Sequence, residues 1–216
     1  MVTLSFTIFS GQKNYNRAHM LFQVLCGFEP IFYTTHPNEE PIKGIKKMKQ
    51  TDNFKFDEAN VMNELVYRNL SEDAKRQICA WKYGGEYDLY NLPSYEEMQV
   101  RQIGFMNPQR EKNYYGFWDE SILVGFVNIL EEKEEIFIGI GVNPDLCNKH
   151  YGQRMLLITY EISKKLYPNK PLYLEVRTWN TRAVKCYEKA GFRIDGQAYE
   201  LTTGIGTGTF YRMIRE

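Results

Sequence analysis

Residues 135–196 read EIFIGIGVNPDLCNKHYGQRMLLITYEISKKLYPNKPLYLEVRTWNTRAVKCYEKAGFRIDG, and their order decides the fold. Residues 136–142 are apolar and β-rich, Pro144 ends that run, and 153–166 carries a helical stripe at Met155, Thr159, Ile162 and Leu166. The segment 147–152, CNKHYG, therefore falls where a strand hands over to a helix. Backbone N–H groups without partners at a helix start, together with the helix dipole, favour a phosphate there. A second strand over 171–176 leads to Asn180, then to a helix with Ala183, Val184, Tyr187 and Ala190 on its buried side, closed by Gly191-Phe192. Taken singly, the glycine-containing turn fits a plain connection, Asn180 an ordinary N-cap and Tyr187 a core aromatic. Their joint spacing is what sets the stretch apart.

Working outward, 216 residues give room for one sizeable core, or one domain with an extension. The formal net charge is zero, so there is no general attraction to nucleic acid or to an anionic membrane. The 16 Tyr and 13 Phe point to a well-packed fold with aromatic-lined clefts rather than to disorder. Cys26, Cys79, Cys147 and Cys186 have no metal spacing and the three histidines are scattered, so no metal site is expected. No apolar run reaches the length of a membrane span, and MVTLSFTIFSG lacks the basic and long apolar parts of a secretion signal. A cytoplasmic protein is the expectation.

The pattern predicts strands over 3–9 and 31–35 around a helix over 15–25, then a polar, Lys-rich linker over 37–60. That divides the chain into an N-terminal αβ extension, 1–59, and a main domain, 60–216. In the main domain a strand over 61–69 precedes a helix begun by Ser71 and running to about Trp81. An aromatic and acidic segment, WKYGGEYDLYNLPSYEEM, reads as a loop and a short helix. A hairpin joins 114–118 to 121–130, and a final hairpin joins 193–201 to 209–215. GIGTGT, 204–209, imitates a nucleotide fingerprint, but no helix follows it, so it reads as the turn of that hairpin. The order β-α-α-β-β-β-α-β-α-β-β describes an α/β fold: a mixed, mostly antiparallel sheet of about six or seven strands with about four helices on its two faces.

Two motifs carry a resemblance. Asn-x-x-Ala-x-x-x-Tyr-x-x-x-Gly-Phe is matched by Asn180, Ala183, Tyr187, Gly191 and Phe192, and the loop pattern [Q/R]-x-x-G-x-[G/A] maps to Cys147, His150 and Gly152. On these residues, and on AWKYGGEYDLYN upstream, residues 60–216 resemble the GNAT superfamily of acetyl-CoA-dependent N-acetyltransferases. Two positions depart from the pattern: Cys147 stands for Gln or Arg, and His150 for a glycine that keeps the backbone close to the pyrophosphate. The resemblance implies acetyl transfer from acetyl-CoA to a primary amine by direct attack in a ternary complex. The pyrophosphate would lie on the loop Cys147, Asn148, Lys149, His150, Tyr151, Gly152 and Gln153, and the pantetheine arm along Ile140–Val142. Asn180 would fix that arm, Tyr187 would protonate the departing thiolate, and Glu135 or Glu175 would accept the amine proton. Asp88, Glu96 and Glu97, beside Tyr87, Tyr90 and Tyr95, form either an acidic acceptor pocket or a solvated surface. The implied partner is a small-molecule or peptide amine, with no nucleic acid, membrane or metal, and a homodimer is one arrangement open to the chain. The alternative reading is a non-catalytic acyl-CoA-sensing or interaction module with a degenerate site.

The extension holds one oddity. Residues 5–30, SFTIFSGQKNYNRAHMLFQVLCGFEP, loosely repeat 173–195, with Phe22 where Tyr187 stands. Either a remnant of a second acetyltransferase unit or an unrelated αβ extension accounts for it. If the segment is integrated into the main sheet, deleting residues 1–59 leaves an unstable or insoluble remainder. A soluble, fully folded truncation by circular dichroism and gel filtration refutes integration.

Overall fold

A computed structural model of the chain describes residues 65–203 and 205–216. The elements expected before residue 65, the linker and the internal repeat lie outside the described residues.

The first described elements form because their ends are capped by side chains. Strand β1 (Val66–Asn69) leads to helix α1 (Glu72–Ala80), whose N-cap Ser71 accepts the N–H of Ala74 through Oγ at 3.3 Å. A 3-10 segment, Gly85–Tyr90, follows, then α2 (Tyr95–Arg101), capped in the same way by Ser94 Oγ on Glu97 N–H at 3.1 Å. Hairpin strands β2 (Tyr114–Asp119) and β3 (Ile122–Glu131) turn at Glu120, which takes a left-handed φ of 52°. The chain continues through β4 (Ile136–Val142), α3 (Tyr151–Leu166), β5 (Leu172–Arg177) and α4 (Thr181–Lys189). It closes with β6 (Arg193–Ile194), β7 (Tyr199–Thr203) and β8 (Gly206–Arg215).

The strands form one sheet in the order β1-β2-β3-β4-β5-β8-β6, with β7 also paired to β8. All contacts are antiparallel except β4 with β5. Pairing of β3 with β4 is continuous from Gly125↔Val142 to Glu131↔Ile136. The β4–β5 contact consists only of Ile136↔Leu172 and Phe137↔Tyr173. Past those two pairs β5 stays with β8 as far as Arg177↔Phe210, while β4 stays with β3, so the sheet opens between them.

Strand side chains alternate between faces. On one face Val127, Ile129, Ile136, Ile138, Leu174 and Val176 form a core with Met155 and Leu156 of α3 and with Phe192 just after α4. On the other, Trp118, Leu123 and Phe126 pack under α1 and α2, and Phe137, Tyr173, Leu201 and Phe210 form a smaller cluster. This is the mixed sheet with helices on both faces that the sequence predicts, with eight strands and four α-helices among the described residues.

Some boundaries differ from expectation. The single strand expected over 193–201 is two, β6 and β7, separated by a break at Gly196, whose φ of 81° is left-handed. Helix α3 begins at Tyr151 rather than Gln153. Thr203 pairs with Gly206 across the β7–β8 turn, and Gly206–Thr209 belong to β8, so the described residues there form a hairpin and no nucleotide loop.

Met155 is 0% exposed and touches both β3 and the rest of the core. Truncation to alanine leaves a cavity at the seam of α3 and the sheet, so Met155→Ala is expected to cost about 2–5 kcal/mol. Urea denaturation should show a lower midpoint with an unchanged slope.

Candidate active site

The opening between β4 and β5 is a cleft of about 420 Å³. Its walls include Ile138, Ile140 and Val142 of β4, Val176 and Arg177 of β5, the loop before α3, and Asn180, Ala183 and Tyr187 at α4.

Hydrogen-bond parity fixes which backbone groups of β4 face this cleft. Ile136 N–H donates toward the β5 side, to Pro171 O at 2.9 Å, whereas Asn143 N–H donates to Val124 O of β3 at 2.9 Å. Alternation then turns the peptide groups of Ile138, Ile140 and Val142 away from β3, toward the edge that β5 has left. Val142 agrees with this parity: its carbonyl accepts the hydroxyl of Tyr83 at 2.7 Å. The opened edge of β4 thus offers backbone donors and acceptors along its last residues, as a sheet edge does to an extended chain.

The loop at the other end is built from tight turns. Asn143 starts the 3-10 segment Pro144–Leu146, its Oδ1 accepting Asp145 N–H at 3.1 Å. Asn148 and His150 then take left-handed φ values of 64° and 63°. His150 occupies the glycine position of the loop pattern and adopts the backbone conformation a glycine provides, with its side chain exposed. No side chain caps α3, and its first internal bond is Arg154 N–H to His150 O at 3.1 Å. The N–H groups of Tyr151, Gly152 and Gln153 therefore have no intrahelical acceptor, which fits a phosphate. A Cβ on Gly152 would lie 3.0 Å from Cys186 Sγ and 3.5 Å from Val142 Cγ2, so the missing side chain brings α3, α4 and the end of β4 together. The Tyr151 hydroxyl donates to Asp119 Oδ2 at 2.8 Å, tying the helix start to the end of β2.

Asn180 acts as the N-cap of α4, accepting Ala183 N–H through Oδ1 at 3.2 Å, and its amide donates to Tyr90 Oη at 3.3 Å. Tyr187 stands two turns on and lines the cleft. Burial, followed by the neighbouring Cys186, pushes its phenol well above the ordinary range, and burial raises the thiols of Cys147 and Cys186 likewise. Tyr83 is raised for the same reason.

The predicted loop residues Cys147, Asn148, His150, Tyr151, Gly152 and Gln153 come together at one end of the cleft with Ile140, Val142, Asn180 and Tyr187, while Lys149 lies outside its lining. Glu135 also lies outside it: its carboxylate is 2.5 Å from Arg212 Nη2, and Arg212 binds Asp195 at 2.9 Å as well. Glu175 lies in the lining and accepts a hydrogen bond from the Tyr199 hydroxyl. Of the carboxylates weighed for an acidic pocket, Glu96 pairs with Arg76, Glu97 pairs with Arg101, and neither they nor Asp88 line the cleft. Tyr90 does line it, and Tyr95 is buried under α1.

Sequence reasoning missed Tyr83, Arg177, Trp179 and Arg182. Trp179 lies 5.6 Å from Tyr87 and 6.0 Å from Tyr90, centroid to centroid, and the Arg182 guanidinium sits 4.1 Å over Tyr87. A usable signal was present for Arg177, which with Glu175 is one of two charged residues on a central strand whose other residues are apolar or aromatic.

The acetyltransferase (GNAT) family model matches residues 63–192, and the chain belongs to that family of acyltransferases. No curated protein matches the chain. Among solved structures, it is similar to a chimera of the spermidine N-acetyltransferase SpeG from Vibrio cholerae and hSSAT, at 21% identity and a TM-score of 0.57, covering 70% of this chain and 95% of that one. A GNAT-family acetyltransferase from Bacillus anthracis matches at 17% identity and a TM-score of 0.55, covering 70% and 93%. AAC(6')-Ib in complex with ribostamycin and coenzyme A matches at 17% identity and a TM-score of 0.54, also over 70% and 93%. At these identities the likeness is one of fold. Among the described residues no helix is long and apolar enough to cross a membrane, and no group of three metal-binding side chains occurs.

The cap can be tested by itself. Asn180→Ala removes the acceptor for Ala183 N–H and is expected to destabilise the protein by about 1 kcal/mol, with Asn180→Asp close to wild type. Thermal unfolding of the three proteins without ligand measures the difference.

Proposed function

We propose that the protein transfers the acetyl group of acetyl-CoA directly to a primary amine, inside the cleft between β4 and β5. The observation that carries this reading is the continuity of that cleft. One opening joins the uncapped start of α3, the exposed edge of β4 and the phenol of Tyr187. Bound acetyl-CoA would supply an electrophilic thioester, with its pyrophosphate on the N–H groups at the loop and its arm along Ile140–Val142.

The chain's own groups then have defined tasks. Val142 N–H, turned from β3 by parity, donates to the thioester oxygen as charge grows there. The amine nitrogen forms the new bond to the carbonyl carbon, the carbon–sulfur bond breaks, and Tyr187 gives its proton to the sulfur. A phenol raised by burial looks a poor acid for an ordinary thiolate. The same desolvation acts on the sulfur, as it does on Cys147 and Cys186 in the same cleft, and raises its affinity for the proton too. Glu175, in the cleft lining, receives the proton the ammonium sheds before attack, since an aliphatic amine with a pKa near 10.4 is otherwise about 99.9% charged at neutral pH. The second proton, lost by the nitrogen as the amide forms, restores the Tyr187 phenol. Glu135, paired with Arg212, is given no part in that step.

Thermal unfolding with acetyl-CoA at about 100 times its dissociation constant should raise the midpoint by roughly 5–10 °C. An unshifted midpoint defeats the reading at its first step. With an accepted amine, Tyr187→Phe should lower kcat by about 100-fold or more while keeping the thermal shift. Because burial holds the Tyr187 phenol protonated beyond the ordinary phenol range, the wild-type rate should show no alkaline limb from this residue below about pH 10.

A further inference from the structure

Alternation along β5 sends Leu172, Leu174 and Val176 into the layer beneath α3 and α4. Glu175 and Arg177 go to the opposite face, with Tyr173 and Phe210, on the side of the sheet away from the phosphate-type loop. Arg177 is 7% exposed. Its Nη1 donates to Thr207 O at 3.4 Å and its Nη2 to Gly206 O at 3.2 Å, while Nε is buried with no partner. A guanidinium has five N–H donors, so about three are unmatched. No carboxylate lies within ion-pair distance of it among the described residues. The turn is nonetheless shaped to it, since a Cβ on Gly208 would fall 1.9 Å from Nη1.

A permanent cation removed from water without a counter-ion is strongly unfavourable. Arg182, Lys185 and Lys189 line the same cleft but belong to α4, beside the phosphate-type loop, so on the other face Arg177 stands with one lining carboxylate, Glu175. A fixed cation two residues from a single carboxylate suits an acceptor with one positive and one negative end better than a polycation.

We propose that Arg177 sets acceptor specificity by receiving a carboxylate of the acceptor, so that the substrate is a small primary amine that also carries a carboxylate, and not a polyamine. Two residues apart on one face of a strand, Glu175 and Arg177 are separated by about 6.6 Å along the chain, a span that an amine and a carboxylate a few bonds apart can bridge. Glu175 faces the amine and Arg177 the carboxylate, two different ends of one molecule. This assignment rests on the acetyl-transfer reading.

The test compares matched amines with the full-length chain: phenylalanine with phenethylamine, lysine with 1,5-diaminopentane, and spermidine as the polycation. The expected kcat/KM for each amino-carboxylate is at least about tenfold above its decarboxylated partner, with spermidine below both. Arg177→Gln and Arg177→Lys should shrink that ratio toward one while the acetyl-CoA thermal shift persists. Equal or better turnover of the decarboxylated amines or of spermidine overturns the proposal, as does a folded Arg177→Gln protein with an unchanged ratio. If neither variant folds, the wild-type ratios decide alone. If the protein binds acetyl-CoA but acetylates none of these amines, calorimetric titration into the CoA-loaded protein decides. Carboxylate-dependent binding lost in the variants upholds the role of Arg177 although the transfer reading fails, and equal or absent binding within each pair overturns it.

Discussion

The short parallel contact of β4 with β5 is the constraint on which the rest of the molecule depends. Two residue pairs hold the strands together at one end, and each then follows its other neighbour, β3 or β8. An unpaired strand edge inside a protein normally carries a penalty, because its peptide groups have lost water and gained nothing. Here Tyr83 satisfies one of them, the carbonyl of Val142, and the opening leaves the remainder accessible. The glycines of the region serve this geometry. Gly141 leaves room for the Phe126 ring, and Gly152 lets α3 and α4 close on the end of β4.

Much of this was legible because it rests on local rules. Ser71 and Asn180 each mark a helix start, and in both cases the side-chain oxygen accepts the expected N–H. The spacing from Asn180 through Tyr187 to Phe192 describes one amphipathic helix and its stop, so its orientation toward the cleft follows from the sequence. His150 was harder to read. Its identity departs from the loop pattern, yet its left-handed φ reproduces what the pattern needs, and conformation of that kind is not written in residue type alone.

What escaped the sequence was long-range pairing of charge. Glu135 and Glu175 are equivalent as letters, each near the middle of the sheet. Only the fold reveals that Arg212, about 80 positions along from Glu135, neutralises the first and that the second lines the cleft. Glu96 and Glu97 resemble pocket carboxylates until α1 and the rest of α2 bring Arg76 and Arg101 beside them. The break between β6 and β7 lies at Gly196, whose left-handed φ lets both short strands pair with the same neighbour, β8; a lone glycine in a strand-like run does not announce that turn.

The cleft passes through the sheet rather than into it. Its lining runs from Gly152 and Cys186 on the α3–α4 face to Phe137 and Phe210 on the other. Two molecules entering from opposite faces can meet in the middle without either passing the other. Residues that lie far apart on the two surfaces of the sheet thus border one shared opening.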